Sequence, residues 1–174
     1  VRHVHHRVLR ELPRRGLGPL RVARAFAPVL AASGGGALVH MHSVLSWLAG
    51  SGAYGASKAA AWSVTNSLRV ELAAQHTQVV GVHSGFIDTD MVSALDRPKA
   101  SPAQIAARIV DGVEAGHTEV LADDVTVGVK AALSGPVEHL TIPAARRPAT
   151  PPQHTRSNET PCPSGPITPP PASS

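Results

Sequence analysis

An alternation limits what this chain can fold into. Three short β-type runs, 37–42, 78–83 and 118–122, are rich in Val and Leu and are separated by segments with apolar residues at helical spacing. Ahead of the first run, Pro19 suits a first helical turn, and Val22, Phe26, Val29 and Leu30 place an apolar face on 20–32 before Ser33 and three glycines end it. Pro28 within it is expected to kink the helix. The segment from Ala53 to about Ala74 contains no proline, and Ser101-Pro102 opens a helix with Ile105, Ile109 and Val113 on one face. Asp123 is placed to cap a last helix reaching about Leu133. Consecutive parallel strands need long crossovers, so this order predicts an α/β domain. It would be a parallel sheet of about three strands, joined by right-handed crossovers, with helices on both faces. Ligands on such sheets bind at the carboxyl ends of the strands, which directs attention to the loops after His42 and His83.

The flanks read differently. Residues 143–174 hold ten of the sixteen prolines, mixed with Ser and Thr, and are expected to be disordered. Residues 1–16 form a basic arm in which Val4, Val8 and Leu12 sit at helical spacing, a short helix expected to stop at Pro13. The domain is thus expected to span 17–142. Its 43% hydrophobic but only 3% aromatic content implies an aliphatic core. No apolar run is long enough to cross a bilayer and no leader pattern opens the chain, so the expected compartment is the cytoplasm. The lone cysteine, Cys162, excludes an internal disulfide. The net charge of +4 is concentrated in arginines before residue 25, without the aromatic interleaving of a nucleic-acid surface, so no nucleic-acid partner is expected.

Tyr54 and Lys58 stand four apart near the start of the long helical segment, which puts phenol and ammonium on one face. A nearby Lys⁺ favours the phenolate, and that is an arrangement for acid–base chemistry. Ser43 follows the preceding β run, and a serine at a strand end and a tyrosine at the next helix start can reach one carbonyl oxygen. Histidines at 40, 42 and 83 fall on neighbouring strands and at 3, 5 and 6 in the arm. Both sets read as tolerated side chains rather than metal ligands, and Asp88 with Asp90 as solvated loop acids.

With these blocks in order, the chain resembles the short-chain dehydrogenase/reductase family from Gly18 to about Leu133. The resemblance is carried by Gly34-Gly-Gly-Ala-Leu-Val39, Ser43-Val-Leu-Ser-Trp47, Tyr54-Gly-Ala-Ser-Lys58-Ala-Ala60 and His83-Ser-Gly-Phe-Ile-Asp-Thr-Asp-Met91. It implies a partial doubly wound, Rossmann-like sheet and hydride transfer between NAD or NADP and a small carbonyl or alcohol substrate. Tyr54 would be the general acid or base. Lys58 would hold the nicotinamide ribose, and Ser43, in preference to Ser46, would orient the carbonyl. Gly85, Ile87 and Thr89 would line the nicotinamide, and 90–99 would be the substrate loop. The helices near 20–32 and 53–74 would pair two subunits.

Departures from the pattern set further expectations. The spacing from Ser43 to Tyr54 is two residues shorter than the family's, Ser84 stands where the family has proline, and Arg15 falls where the family places a relay asparagine. The family's nucleotide-binding half, with its glycine-rich turn after a strand, has no counterpart here, because Gly34–Gly36 precedes a strand. The sheet is therefore expected to expose an apolar face, and catalysis to be impaired. The alternative expectation is a non-catalytic remnant that serves only as a dimerisation module. The arm and the tail also resemble translation of GC-rich DNA in an unintended frame.

Overall fold

The computed structural model describes residues 7–142, apart from Leu9. Strands β1 (Gly36–Met41), β2 (Thr77–His83) and β3 (Glu119–Leu121) form one parallel sheet in the order β1-β2-β3. Gly36 pairs with Thr77 and Met41 with Val82 at the two ends of the β1/β2 ladder, and Gly81–His83 pair with Glu119–Leu121. Helices α1 (Gly18–Ala32), α2 (Gly52–Glu71), α3 (Pro102–Glu114) and α4 (Asp124–Ala132) accompany it among the described residues. The expected α/β architecture is present. The proline-rich tail lies outside the described residues.

Local chemistry sets the helix ends. At α3, Ser101 and Gln104 close a reciprocal capping box, so two backbone N–H groups of the first turn are satisfied. Asp123 caps α4 through the N–H of Thr126. Helix α1 runs through Pro28 to Ala32 without interruption. After it, Gly35 has φ of +121°, and a Cβ there would collide with the His76 carbonyl, so only glycine fits this turn into β1.

Alternation along β2 divides the core in two. Val79 joins Ala23, Leu68 and Leu72 beneath α1 and α2. Val80 and Val82 point the other way and pack with Ile105, Val120 and Ala122 beneath α3. Two right-handed crossovers between successive strands would put α2 and α3 on the same face of the sheet. They lie on opposite faces, so the β1-α2-β2 and β2-α3-β3 crossovers are of opposite hand and the expectation of two right-handed ones fails for one of them. The irregular stretch 84–101 provides the length to carry the chain across the sheet end. On β1, Val39 and Met41 share the α3 side but are 37% and 40% exposed, the uncovered apolar face that the sequence led us to expect.

The arm does not stop at Pro13. A π-helical turn, Leu12–Gly16, continues through it, and Gly16 is buried against the Ser57 carbonyl and the Ala60 methyl of α2. The last turn of the arm therefore packs beside Tyr54 and Lys58.

Candidate active site

Tyr54 and Lys58 lie in the first two turns of α2, both half-buried, with the Lys58 Nζ 6.0 Å from the centre of the Tyr54 ring. The ammonium also donates to the Met41 carbonyl at 2.9 Å, which fixes it at the carboxyl end of β1. An ammonium has three donors, so two remain for a ligand. Burial, and after it the Arg15 guanidinium, lowers the Lys58 pKa from its ordinary value.

Arg15 also lies against this ring, its guanidinium carbon 5.5 Å from the Tyr54 centroid, and pairs with Glu11 one helical turn back. The residue found where the family's relay asparagine is expected is thus in the site, but it offers donors and no acceptor.

Ser43 is buried at the carboxyl end of β1, where its hydroxyl accepts from the Leu45 N–H at 3.2 Å and caps the short turn Val44–Ser46. The Ser46 hydroxyl donates to the Ser43 carbonyl at 2.6 Å. Among the described residues no hydrogen bond joins Ser43 to Tyr54. The connecting loop is nonetheless tied to α2. The Ser51 hydroxyl donates to the carbonyls of Leu45 and Leu48 at 3.0 and 2.8 Å, and a Cβ on Gly55 would overlap the Ser51 side chain and press on the Leu45 carbonyl. Glycine after the tyrosine lets the loop lie flat on the helix.

The loop after β2 stands beside this one, since the Val44 N–H donates to the Ser84 carbonyl at 2.9 Å. The Gly85 N–H donates to the Asp123 carboxylate, Ile87 packs on the α3-side core, and Thr89 is exposed with its hydroxyl donating to the Ile87 carbonyl at 3.3 Å. A parallel bridge between Ile87 and Ala100 braces the stretch. Gly85, Ile87 and Thr89 thus follow the strand adjacent to β1 and open at the same sheet end as Ser43 and Lys58. Asp88 is exposed and lies 3.8 Å from Lys99, in keeping with a solvated loop acid.

Beneath the site lies a histidine cluster. The His40 Nδ1 is 2.7 Å from the Thr65 hydroxyl, His42 fits against the bare backbone of Gly81, and His83 stacks on Trp47 with ring centres 3.9 Å apart. Burial holds the His40 pKa below its usual value. It lowers His42 to about 3, helped by neighbouring cationic groups, and His83 to about 4 against the opposing pull of Glu119. All three are neutral at pH 7. No group of three His, Cys, Asp or Glu among the described residues is arranged to hold a metal ion. His3, His5 and His6 lie outside the described residues.

Sequence reasoning missed three of these features: the ring contact of Arg15, the bond from Asp123 to Gly85, and the His83–Trp47 stack. Asp123 left a signal as a helix cap, and Arg15 as a departure from the family pattern.

A tyrosine and a lysine on the helix that follows a serine-terminated parallel strand, next to a glycine loop from the neighbouring strand, define a short-chain dehydrogenase type of site. The family model described as short chain dehydrogenase matches residues 15–100. A 1-deoxy-11-beta-hydroxypentalenate dehydrogenase from Streptomyces exfoliatus is 37% identical over 107 residues, which are 60% of this chain and 34% of that protein. Among solved structures, a short chain dehydrogenase from Burkholderia cenocepacia J2315 in complex with NADP is 30% identical and superposes with a TM-score of 0.71, covering 76% of this chain and 58% of that one. The carbonyl reductase Sniffer of D. melanogaster is likewise 30% identical, with a TM-score of 0.51 over 60% of this chain and 49% of the other. The chain belongs to the short-chain dehydrogenase/reductase family over residues 15–100, the stretch that the family model matches. It spans about a third of the length of the curated relative and just over half that of the first of these structures.

Proposed function

We propose that this chain carries the proton-transfer half of an NAD(P)-dependent oxidoreductase that interconverts a small carbonyl compound and its alcohol. The observation that carries the reading is the placement of Tyr54 and Lys58 on one face of α2, with Lys58 anchored by Met41 at the end of β1. In the reducing direction the Tyr54 hydroxyl donates its proton to the carbonyl oxygen as negative charge develops there. In the oxidising direction the phenolate takes the alcohol proton. Lys58 places a cation 6.0 Å from the centre of the Tyr54 ring and supplies two further donors for ribose hydroxyls. The Ser43 hydroxyl accepts from Leu45 and keeps its own hydrogen to donate to the substrate oxygen.

The donor set suits the nicotinamide end of the cofactor, with Lys58 at the ribose and Gly85, Ile87 and Thr89 along the ring and carboxamide. Among the described residues no glycine-rich turn follows a strand to receive the pyrophosphate, since Gly34–Gly36 leads into β1. A bound dinucleotide would supply the hydride. The Burkholderia relative's complex with NADP supports this class of cofactor.

The exposed Val22, Phe26 and Val29 on α1 and Val70 on α2 support pairing with a second copy, which sedimentation of the purified chain would reveal as a dimer. No helix among the described residues is long and apolar enough to cross a membrane, consistent with a cytoplasmic placement. The catalytic reading is tested by fluorescence titration with NADPH and NADH together with turnover of a carbonyl panel. Saturable binding is expected, and Tyr54→Phe should retain it while turnover falls at least ~10²-fold. A chain that binds neither nucleotide would sink the proposal.

A further inference from the structure

A cleft opens beside Tyr54, and its walls are chemically unequal. One side is lined by Arg7, Arg10, Glu11 and Arg15, the other by the Gly50–Ala53 stretch, with Tyr54 between them. Among the described residues Glu11 is the only acid lining the cleft, and it is already paired with Arg15. Among the described residues no carboxylate pairs with Arg7 or Arg10, so two guanidinium groups face the cleft without a counter-charge. The opposite wall carries no bulky side chain, which leaves the approach to the Tyr54 ring open. Arg15 and Lys58, at 5.5 and 6.0 Å from the centre of the Tyr54 ring, add positive charge near the cleft. Arginine presents a planar fork that matches two oxygens of an oxyanion, and such bidentate pairs are the strong ones.

We propose that Arg7 and Arg10 form an anion subsite beside Tyr54, so that the carbonyl or alcohol taken by this chain carries an oxyanion group, a carboxylate or a phosphate, remote from the reacting carbon. The inference rests on the oxidoreductase reading for its catalytic meaning, but the subsite is a binding property and is measured without turnover. Charge on the substrate would be held at the arm while the carbonyl end reaches the Tyr54 hydroxyl. The arm thereby acquires a role in selecting substrates. Residues 7 and 10 precede the stretch, 15–100, that the family model matches.

Tyr54 is the single tyrosine of the chain, so carbon-13 labelling of tyrosine gives one ring signal to follow by NMR. The probes are cyclohexylacetate, cyclohexyl phosphate and neutral cyclohexylacetamide, titrated at low ionic strength into the full chain. The expected result is a saturable shift with at least one oxyanion, at least tenfold weaker binding of the amide, and a similar loss in Arg7→Gln/Arg10→Gln. Both arginines are exposed, and circular dichroism checks that the variant stays folded. Comparing the two oxyanions tells carboxylate from phosphate. Equal binding of amide and oxyanions, no shift with any probe, or an unchanged affinity in the double variant would overturn the subsite. A parallel NADPH titration separates the two ideas: oxyanion binding without nucleotide binding removes the oxidoreductase reading and leaves the subsite standing.

Discussion

The Asp123 carboxylate accepts the Gly85 N–H at 2.6 Å, joining the loop after β2 to the start of α4 across 38 residues of sequence. Its other oxygen accepts from the Thr126 N–H at 2.8 Å and from the fully buried Thr126 hydroxyl. One side chain therefore caps a helix and holds the loop that carries Ile87 and Thr89. Asp123→Ala should cost ~1–2 kcal/mol for the cap and raise amide exchange from Gly85 to Thr89. Thr126→Val removes only a helix-side bond, so exchange in that loop should stay at the wild-type rate. Equal effects of the two variants on the loop would show that Asp123 acts there only through the helix.

Acid should unfold the protein through its histidines. The folded-state pKa values of about 3 for His42 and about 4 for His83 lie below the ordinary 6.5, so below pH 6.5 the unfolded chain binds more protons than the folded one. The sign follows: stability is full above about pH 6.5 and falls as pH drops through 5 and 4. With both rings contributing, the slope approaches ~2.7 kcal/mol per pH unit near pH 5. Urea unfolding at a series of pH values measures it. His83→Phe keeps the aromatic stack on Trp47 and removes one titrating group, so its slope should fall to about half.

Close packing of α3 on β3 depends on Gly112. A Cβ at that position would collide with a Val120 methyl in the α3-side core. Gly112→Ala is therefore expected to destabilise by ~1–3 kcal/mol, although alanine is the better helix former. Gly128, with open space around its Cβ position on α4, is the control. Gly128→Ala should stabilise slightly, and a drop in thermal midpoint as large as that of Gly112→Ala would show that the collision with Val120 is not the cause.

Strands and helices were legible because their apolar periods are short-range properties, and the order Ser43, Tyr54, Lys58 could be read because one strand–loop–helix unit contains all three. The opposite hands of the two crossovers were hidden. Val79, Val80 and Val82 are apolar on both faces of β2, so their sequence does not tell which residue meets which helix. The fit of His42 on Gly81 depends on strand register, and the Asp123–Gly85 bond on two loops meeting in space. Neither relation is local in the chain. Arg15 was visible only as a departure from the family pattern, because nothing around it in sequence says that the π-helical turn brings it onto the Tyr54 ring.

Arg15 offers the most direct test of how far this site departs from a working proton relay. Its guanidinium adds to burial in lowering the Lys58 pKa. Arg15→Asn removes that charge and introduces an amide that both donates and accepts. The Lys58 pKa should then rise toward its ordinary value, read from the Nζ resonance in a pH titration of the labelled chain. If the nucleotide is bound and turned over, the variant should also be faster than the wild type, because the amide puts a group that both donates and accepts at the relay position. Arg15→Gln is the companion variant, carrying the same amide on a longer side chain. A Lys58 titration that moves while turnover does not would mean that charge is relieved but the relay is not rebuilt, and an unmoved Lys58 titration would refute the electrostatic link itself.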